Sequence, residues 1–182
     1  MHIRIISGKY KSRRITAPKN LPIRPTTDRA KEALFNILNN LFDMRDLKIL
    51  DLFTGSGSIA YEFASRGCQD IQAVDRNYPV VRFVSKTAKD FNFPIKVIKK
   101  DSLKFLEKTT DTYDLIFADP PYDLDQEIQK QMIDTVFKRR LLNEGGYFIL
   151  EHHGRIGFEQ HPHFDFAKKY GKSVFSFFKM KQ

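Results

Sequence analysis

Lys48-Ile49-Leu50-Asp51-Leu52-Phe53-Thr54-Gly55-Ser56-Gly57-Ser58 decides the fold. The apolar half reads as a buried strand and the glycine-rich half as a tight turn opening a helix, where missing side chains let backbone approach a ligand at the carboxyl edge of a sheet. Asp51 stands four residues before Gly55, and no third glycine follows at dinucleotide spacing. An acid there repels a pyrophosphate but can accept hydrogen bonds from an ammonium group, which favours an amino-acid-bearing cofactor over NAD. The competing reading is a purely structural turn.

Working outward, four more apolar runs end near an acidic or polar residue: Ile71 to Asp75, Ile95 to Lys100, Tyr113 to Asp119 and Tyr147 to Glu151. Helix-length segments separate them, at Ile59 to Arg66, Pro79 to Phe91, Leu103 to Lys108 and Gln126 to Leu142. That alternation predicts an α/β fold with a parallel sheet. Upstream, Ala30, Ala33, Leu34, Ile37, Leu38 and Leu41 fall at helical spacing behind Thr27 or Asp28 as N-cap. Ile3, Ile5 and Ile15 suggest a hairpin turning through Ser7-Gly8-Lys9-Tyr10, and Phe164 to Tyr170 with Val174 to Met180 suggests an antiparallel hairpin closing the sheet. With 182 residues we expect one domain, a basic extension over 1–26 on a core over 27–182.

Composition narrows the partners. Residues 1–31 hold nine Lys or Arg against one acid, Asp28, which is nearly the whole excess of +9. Such clustering suits a phosphate-binding face, with Lys9, Lys11, Arg13 and Arg14 as candidate RNA contacts; a solubilising surface is the alternative. No apolar stretch reaches membrane-spanning length and the basic start lacks a signal-peptide core, so no membrane and a cytoplasmic location are expected. A lone Cys68 leaves no internal disulfide. Glu151-His152-His153 does not predict a metal site, because adjacent strand residues face opposite ways; His161 and His163 read as surface residues.

Three strand ends carry further chemistry. Asp75 can accept two ribose hydroxyls. Asp101-Ser102 can receive an adenine amine, or Asp101 can simply cap a helix. Asp119-Pro120-Pro121-Tyr122 is the most specific. Its prolines lack N–H groups and leave carbonyls free, the carboxylate adds an acceptor, and the tyrosine offers a flat face. Such a site holds a planar exocyclic amine by its hydrogens, aims its lone pair at an electrophile and stacks an extruded base.

Asp51 to Gly57, Asp75, Asp101 and Asp119 to Tyr122, in this order, make the chain similar to class I S-adenosylmethionine methyltransferases of the amino-methylating type. With Arg24-Pro25-Thr26-Thr27-Asp28-Arg29, Ile5 to Tyr10 and Ser65-Arg66-Gly67 it resembles, over nearly its whole length, the 16S ribosomal RNA guanine-N2 methyltransferases of the RsmD type. The resemblance implies a Rossmann-like, mostly parallel seven-stranded sheet with S-adenosyl-L-methionine as cofactor. It implies Asp51, Phe53, Gly55, Ser56 and Gly57 around the methionine portion, Asp75 on the ribose, and Asp101 and Ser102 near the adenine. Arg24, Thr26 and Thr27 would close the pocket beside the cofactor, and Asp119, Pro120, Pro121 and Tyr122 would hold the base. Asp75 stands where a longer Glu is common, and Ala118 where a Leu often precedes the Asp; neither removes a functional group. The implied partner is 16S rRNA within the small subunit or an assembly intermediate, met by a monomer. Adenine-N6 methylation of DNA or RNA, and non-catalytic RNA binding, are the alternatives.

Overall fold

Each apolar run forms a strand because alternate residues meet helices on opposite faces of one sheet. A computed structural model describes residues 1–24 and 26–181; Pro25, inside the Arg24 to Arg29 motif, lies outside the described residues. In chain order the elements are β1 (His2–Arg4), β2 (Arg14–Thr16), α1 (Asp28–Leu41), β3 (Lys48–Leu52), α2 (Ser58–Ser65), β4 (Asp70–Asp75), α3 (Tyr78–Asp90), β5 (Ile95–Lys99), α4 (Ser102–Lys108), β6 (Tyr113–Ala118), α5 (Gln126–Lys138), β7 (Leu142–His153), β8 (Phe164–Tyr170) and β9 (Ser173–Phe178). Seven strands lie in the order β5-β4-β3-β6-β7-β9-β8, with β1 and β2 paired apart from them. β3 to β7 are parallel; β9 runs antiparallel to both β7 and β8.

Ile49, Ala73, Leu115, Phe117 and Ile149 pack on one face beneath Leu34, Phe35 and Leu38 of α1 and Phe63 of α2. Leu50, Leu52, Val74, Ile116 and Phe148 pack on the other face under Met132, Ile133 and Val136 of α5. Chain order reverses between β3 and β6, where Asp51 pairs with Phe117 and Leu52 with Ala118. Such a switch point opens a crevice at the strands' carboxyl ends, so the turn after β3 and the Asp119 segment after β6 face a common space.

Ile3 opposes Ile15, as the alternation suggested, but residues 5–13 form a longer connection than one tight turn. Gly8 has φ +90 and lies so close to the Ser65 carbonyl that a Cβ would collide with it. A buried carboxylate fixes this extension: Glu62 accepts the Ile6 and Ser7 N–H groups at 2.8 and 3.1 Å and Arg66 Nε at 2.8 Å. Lys31 lies 3.6 Å from Glu62 and donates to the Arg4 carbonyl and Ser58 Oγ. Lys31 is therefore a buried strut, not part of the basic surface.

Other boundaries moved for local reasons. α5 stops at Lys138, short of the expected Leu142, because Arg140 turns left-handed (φ 55) and the N–H groups of Arg140 and Leu141 close on Phe137 and Val136. β7 starts at Leu142 behind a register irregularity that its polar, glycine-bearing front concealed. Leu41 is exposed at the end of α1. His161 and His163 are half-buried, His161 bonding Asp134 and His163 stacking on Phe137 at 4.0 Å.

Candidate active site at the sheet's carboxyl edge

A cavity of about 650 Å³ opens at the switch point. Strand ends supply Asp51, Asp75, Asp101 and Asp119; the turn after β3 supplies Phe53 to Ser56; the N-terminal segment supplies Ile23, Arg24 and Thr26. Ile59, Leu103, Leu124, Ile128 and Met132 form apolar wall that no motif had marked.

At one end the carboxylates are tied to nearby backbone. Asp75 accepts the Gly55 N–H at 3.1 Å and the Asn77 N–H at 2.9 Å. Phe53 and Gly55 both have φ +54, and the Phe53 N–H reaches Ser102 Oγ at 3.3 Å. Ser56 Oγ accepts the Ser58 N–H, and Asp101 caps α4 through the Lys104 N–H while still lining the cavity. Asp51 is buried and accepts the Thr54 hydroxyl at 2.7 Å, and burial pushes its carboxyl up to about 7. A cationic group arriving beside it would restore its charge.

At the other end Asp119 follows β6, with Pro120, Pro121 and Tyr122 turning outward along the cavity. Burial, then the neighbouring Glu151, push its carboxyl well above the ordinary range, and Arg24 opposes them. Arg24 donates from Nη2 to Asp119 Oδ1, and its guanidinium carbon sits 3.6 Å from the Tyr122 ring centroid. Glu151 is likewise pushed up by burial. Tyr122 is half exposed, edge-on to His153 and 3.4 Å from Ser173 Oγ through its hydroxyl.

Arg24 lines the cavity and bonds Asp119 there. Two residues sit differently from expectation. Thr27 is exposed outside the cavity and caps α1 through the Ala30 N–H at 3.1 Å. Gly57 is not in the cavity wall; its φ of +82 and the Tyr61 ring beneath it require a glycine. Lys9, Lys11, Arg13 and Arg14 are all exposed on the connection between β1 and β2 and on β2, whereas Arg4 pairs with Asp28. Among the described residues no cluster of three His, Cys, Asp or Glu is placed to hold a metal ion; His152 bonds Ser176 instead.

The donor set fits S-adenosylmethionine. Four carboxylates at strand ends suit ammonium, sulfonium and hydroxyl groups and oppose a pyrophosphate.

The family model described as Conserved hypothetical protein 95 matches residues 3–179. Ribosomal RNA small subunit methyltransferase D of Buchnera aphidicola subsp. Baizongia pistaciae is 31% identical over 150 residues, 82% of this chain and 75% of that protein. A solved structure of a hypothetical protein from Thermus thermophilus is similar at TM-score 0.84 and 23% identity, over 98% of this chain and 99% of that one. The T. thermophilus 16S rRNA N2 G1207 methyltransferase RsmC, in complex with AdoMet and guanosine, is similar at TM-score 0.77 and 18% identity, over 100% of this chain and 50% of that one. At these identities the two structures bear on the fold, which is Rossmann-like.

Proposed function

We propose, from the premise that this chain belongs to the family described as Conserved hypothetical protein 95, that it methylates the exocyclic N2 amine of a guanine in 16S ribosomal RNA. The observation that carries this reading is one cavity with two chemistries, the acid-lined turn after β3 facing Asp119-Pro120-Pro121-Tyr122. The name of the Buchnera relative, a small-subunit rRNA methyltransferase, supports it.

S-adenosylmethionine supplies an electrophilic methyl group when bound. Asp51 and Thr54 receive its amino-acid end, Asp75 its ribose, and Asp101 with Ser102 its adenine. Asp119 and the Pro120 carbonyl accept the hydrogens of the target amine, which aims the nitrogen lone pair along the cavity. The same carboxylate stabilises positive charge developing on that nitrogen. Tyr122 stacks against the extruded base, and the apolar wall excludes water.

Lys9, Lys11, Arg13 and Arg14 hold phosphates without choosing the base. The enzyme works in the cytoplasm as a monomer on the small subunit or its assembly intermediate, whose shape substitutes for a separate recognition module. Labelled methyl transfer to small-subunit particles, free rRNA and DNA duplex tests the reading. Label is expected in rRNA, most of all in particles. Label confined to DNA adenine would replace this reading with a DNA methyltransferase, and RNA binding with no label would make the protein a non-catalytic binder.

A further inference from the structure

Arg24 occupies the place just assigned to a base. Its flat guanidinium lies on the Tyr122 ring, centre to centre 3.6 Å, and one of its amino groups bonds Asp119. Guanine carries the same chemical unit: C2 with N1, N2 and N3 is a guanidine, and its N1–H and N2–H stand side by side as two donors. Adenine and cytosine place an unprotonated ring nitrogen beside their amine, and that lone pair would face the carboxylate.

The fit of Arg24 is incomplete. Nη1 of Arg24 and Oε2 of Glu151 are both buried without a hydrogen-bond partner among the described residues, and unmet buried polar atoms weigh against an occupant. Arg24 also sits on the irregular segment between β2 and α1, not on a helix or strand, so withdrawal breaks no ladder.

We propose that Arg24 is an internal surrogate for the guanidine edge of guanine, filling the base subsite until the target nucleotide displaces it. The inference rests on the reading of Asp119 and Tyr122 as the base subsite. The carboxylate and ring that suit the surrogate suit guanine better than adenine or cytosine, and occupation by Arg24 lowers apparent affinity for any base that must displace it by the fraction of molecules in which Arg24 is withdrawn.

Guanosine, adenosine and cytidine titrated into the S-adenosylhomocysteine complex of the parent, Arg24→Ala and Arg24→Lys proteins test this. Titrations are repeated at successive pH values that keep the guanine N1 proton, because burial and Glu151 raise the Asp119 carboxyl and Arg24 no longer opposes them in the variants. Arg24→Ala should bind guanosine about tenfold or more tightly than the parent, and guanosine should remain the tightest of the three nucleosides. Arg24→Lys keeps the charge but not the flat fork, so it should gain severalfold, and it carries the test if the alanine variant fails to fold. Unchanged or weaker guanosine binding in the folded variants, or adenosine or cytidine bound as tightly as guanosine once Arg24 is replaced, overturns the proposal. Methyl transfer by the parent to small subunits is measured alongside: its absence counts against the methyltransferase reading, whereas the comparison of binding constants judges Arg24.

Discussion

The two ends of the cavity hold their carboxylates in opposite ways. Asp75 accepts the Asn77 N–H and the Gly55 N–H, which ties the turn after β3 before any ligand arrives, and Asp101 caps α4. Asp119 and Glu151 crowd each other, and the cation that opposes them comes from a segment 95 residues away from Asp119. The first arrangement is a preformed socket, suited to a cofactor of constant shape. The second is held by one long-range contact that a substrate can replace.

The sharpest way to break this contrast is Asp119→Ala. Methyl transfer should fall on the order of 10³-fold, the scale of losing a preorganised electrostatic partner, while cofactor affinity measured by calorimetry stays within a few fold. Equal losses in both would merge the two ends into one site.

Asp75→Ala should do the reverse. Cofactor binding should weaken by roughly 1.5 to 3 kcal/mol, the range for hydrogen bonds to a charged group, with a smaller effect on turnover at saturating cofactor. Thermal stability should drop as well, because Gly55 and Asn77 lose their acceptor. Unchanged affinity would move the ribose elsewhere.

Asp51 sharpens the contrast through pH. Its folded carboxyl holds a proton up to about 7, whereas the unfolded chain releases it near 3.8. Stability therefore falls as pH rises across that window and levels off above it, by at most about 4 kcal/mol. Asp51→Asn, neutral in both states, should flatten the fall in denaturant titrations at successive pH values. Cofactor affinity runs the other way in the parent: a cation favours the ionised acid, so binding should strengthen as pH rises through about 7.

The smallest effect on either end should come from replacing Lys9, Lys11, Arg13 and Arg14 with Ala. Cofactor affinity should not move, and the log–log salt slope of RNA binding should fall by about 3 if all four touch phosphate. An unchanged slope would return these residues to the role of a solubilising surface.

Local order was legible in the sequence wherever the cause was local. The turn after β3 follows from its glycines, α1 from helical spacing behind Thr27, and the strands from their apolar runs. The Arg24 to Asp28 motif shows where that stops. The resemblance sets Arg24, Thr26 and Thr27 beside the cofactor, yet Arg24 reaches Asp119, Thr26 lines the cavity, Thr27 takes the helix-cap role its position also offered, and Asp28 pairs with Arg4. Lys31 and Glu62 were equally opaque: Lys31 sits on an amphipathic helix and Glu62 on one buried almost all round, and only tertiary packing makes them a pair. Charges declare their presence in a sequence but not their partners.

In the proposed reaction this cavity joins a methyl donor to the N2 amine of a guanine in 16S rRNA. Incubating the enzyme and S-adenosylmethionine with small subunits lacking the modification, then digesting the rRNA and mapping the nucleosides by mass spectrometry, tests it most directly. N2-methylguanosine is expected at a single position, and none with Asp119→Ala. Label on adenine N6 or cytosine N4, or no methylated nucleoside at all, would contradict it.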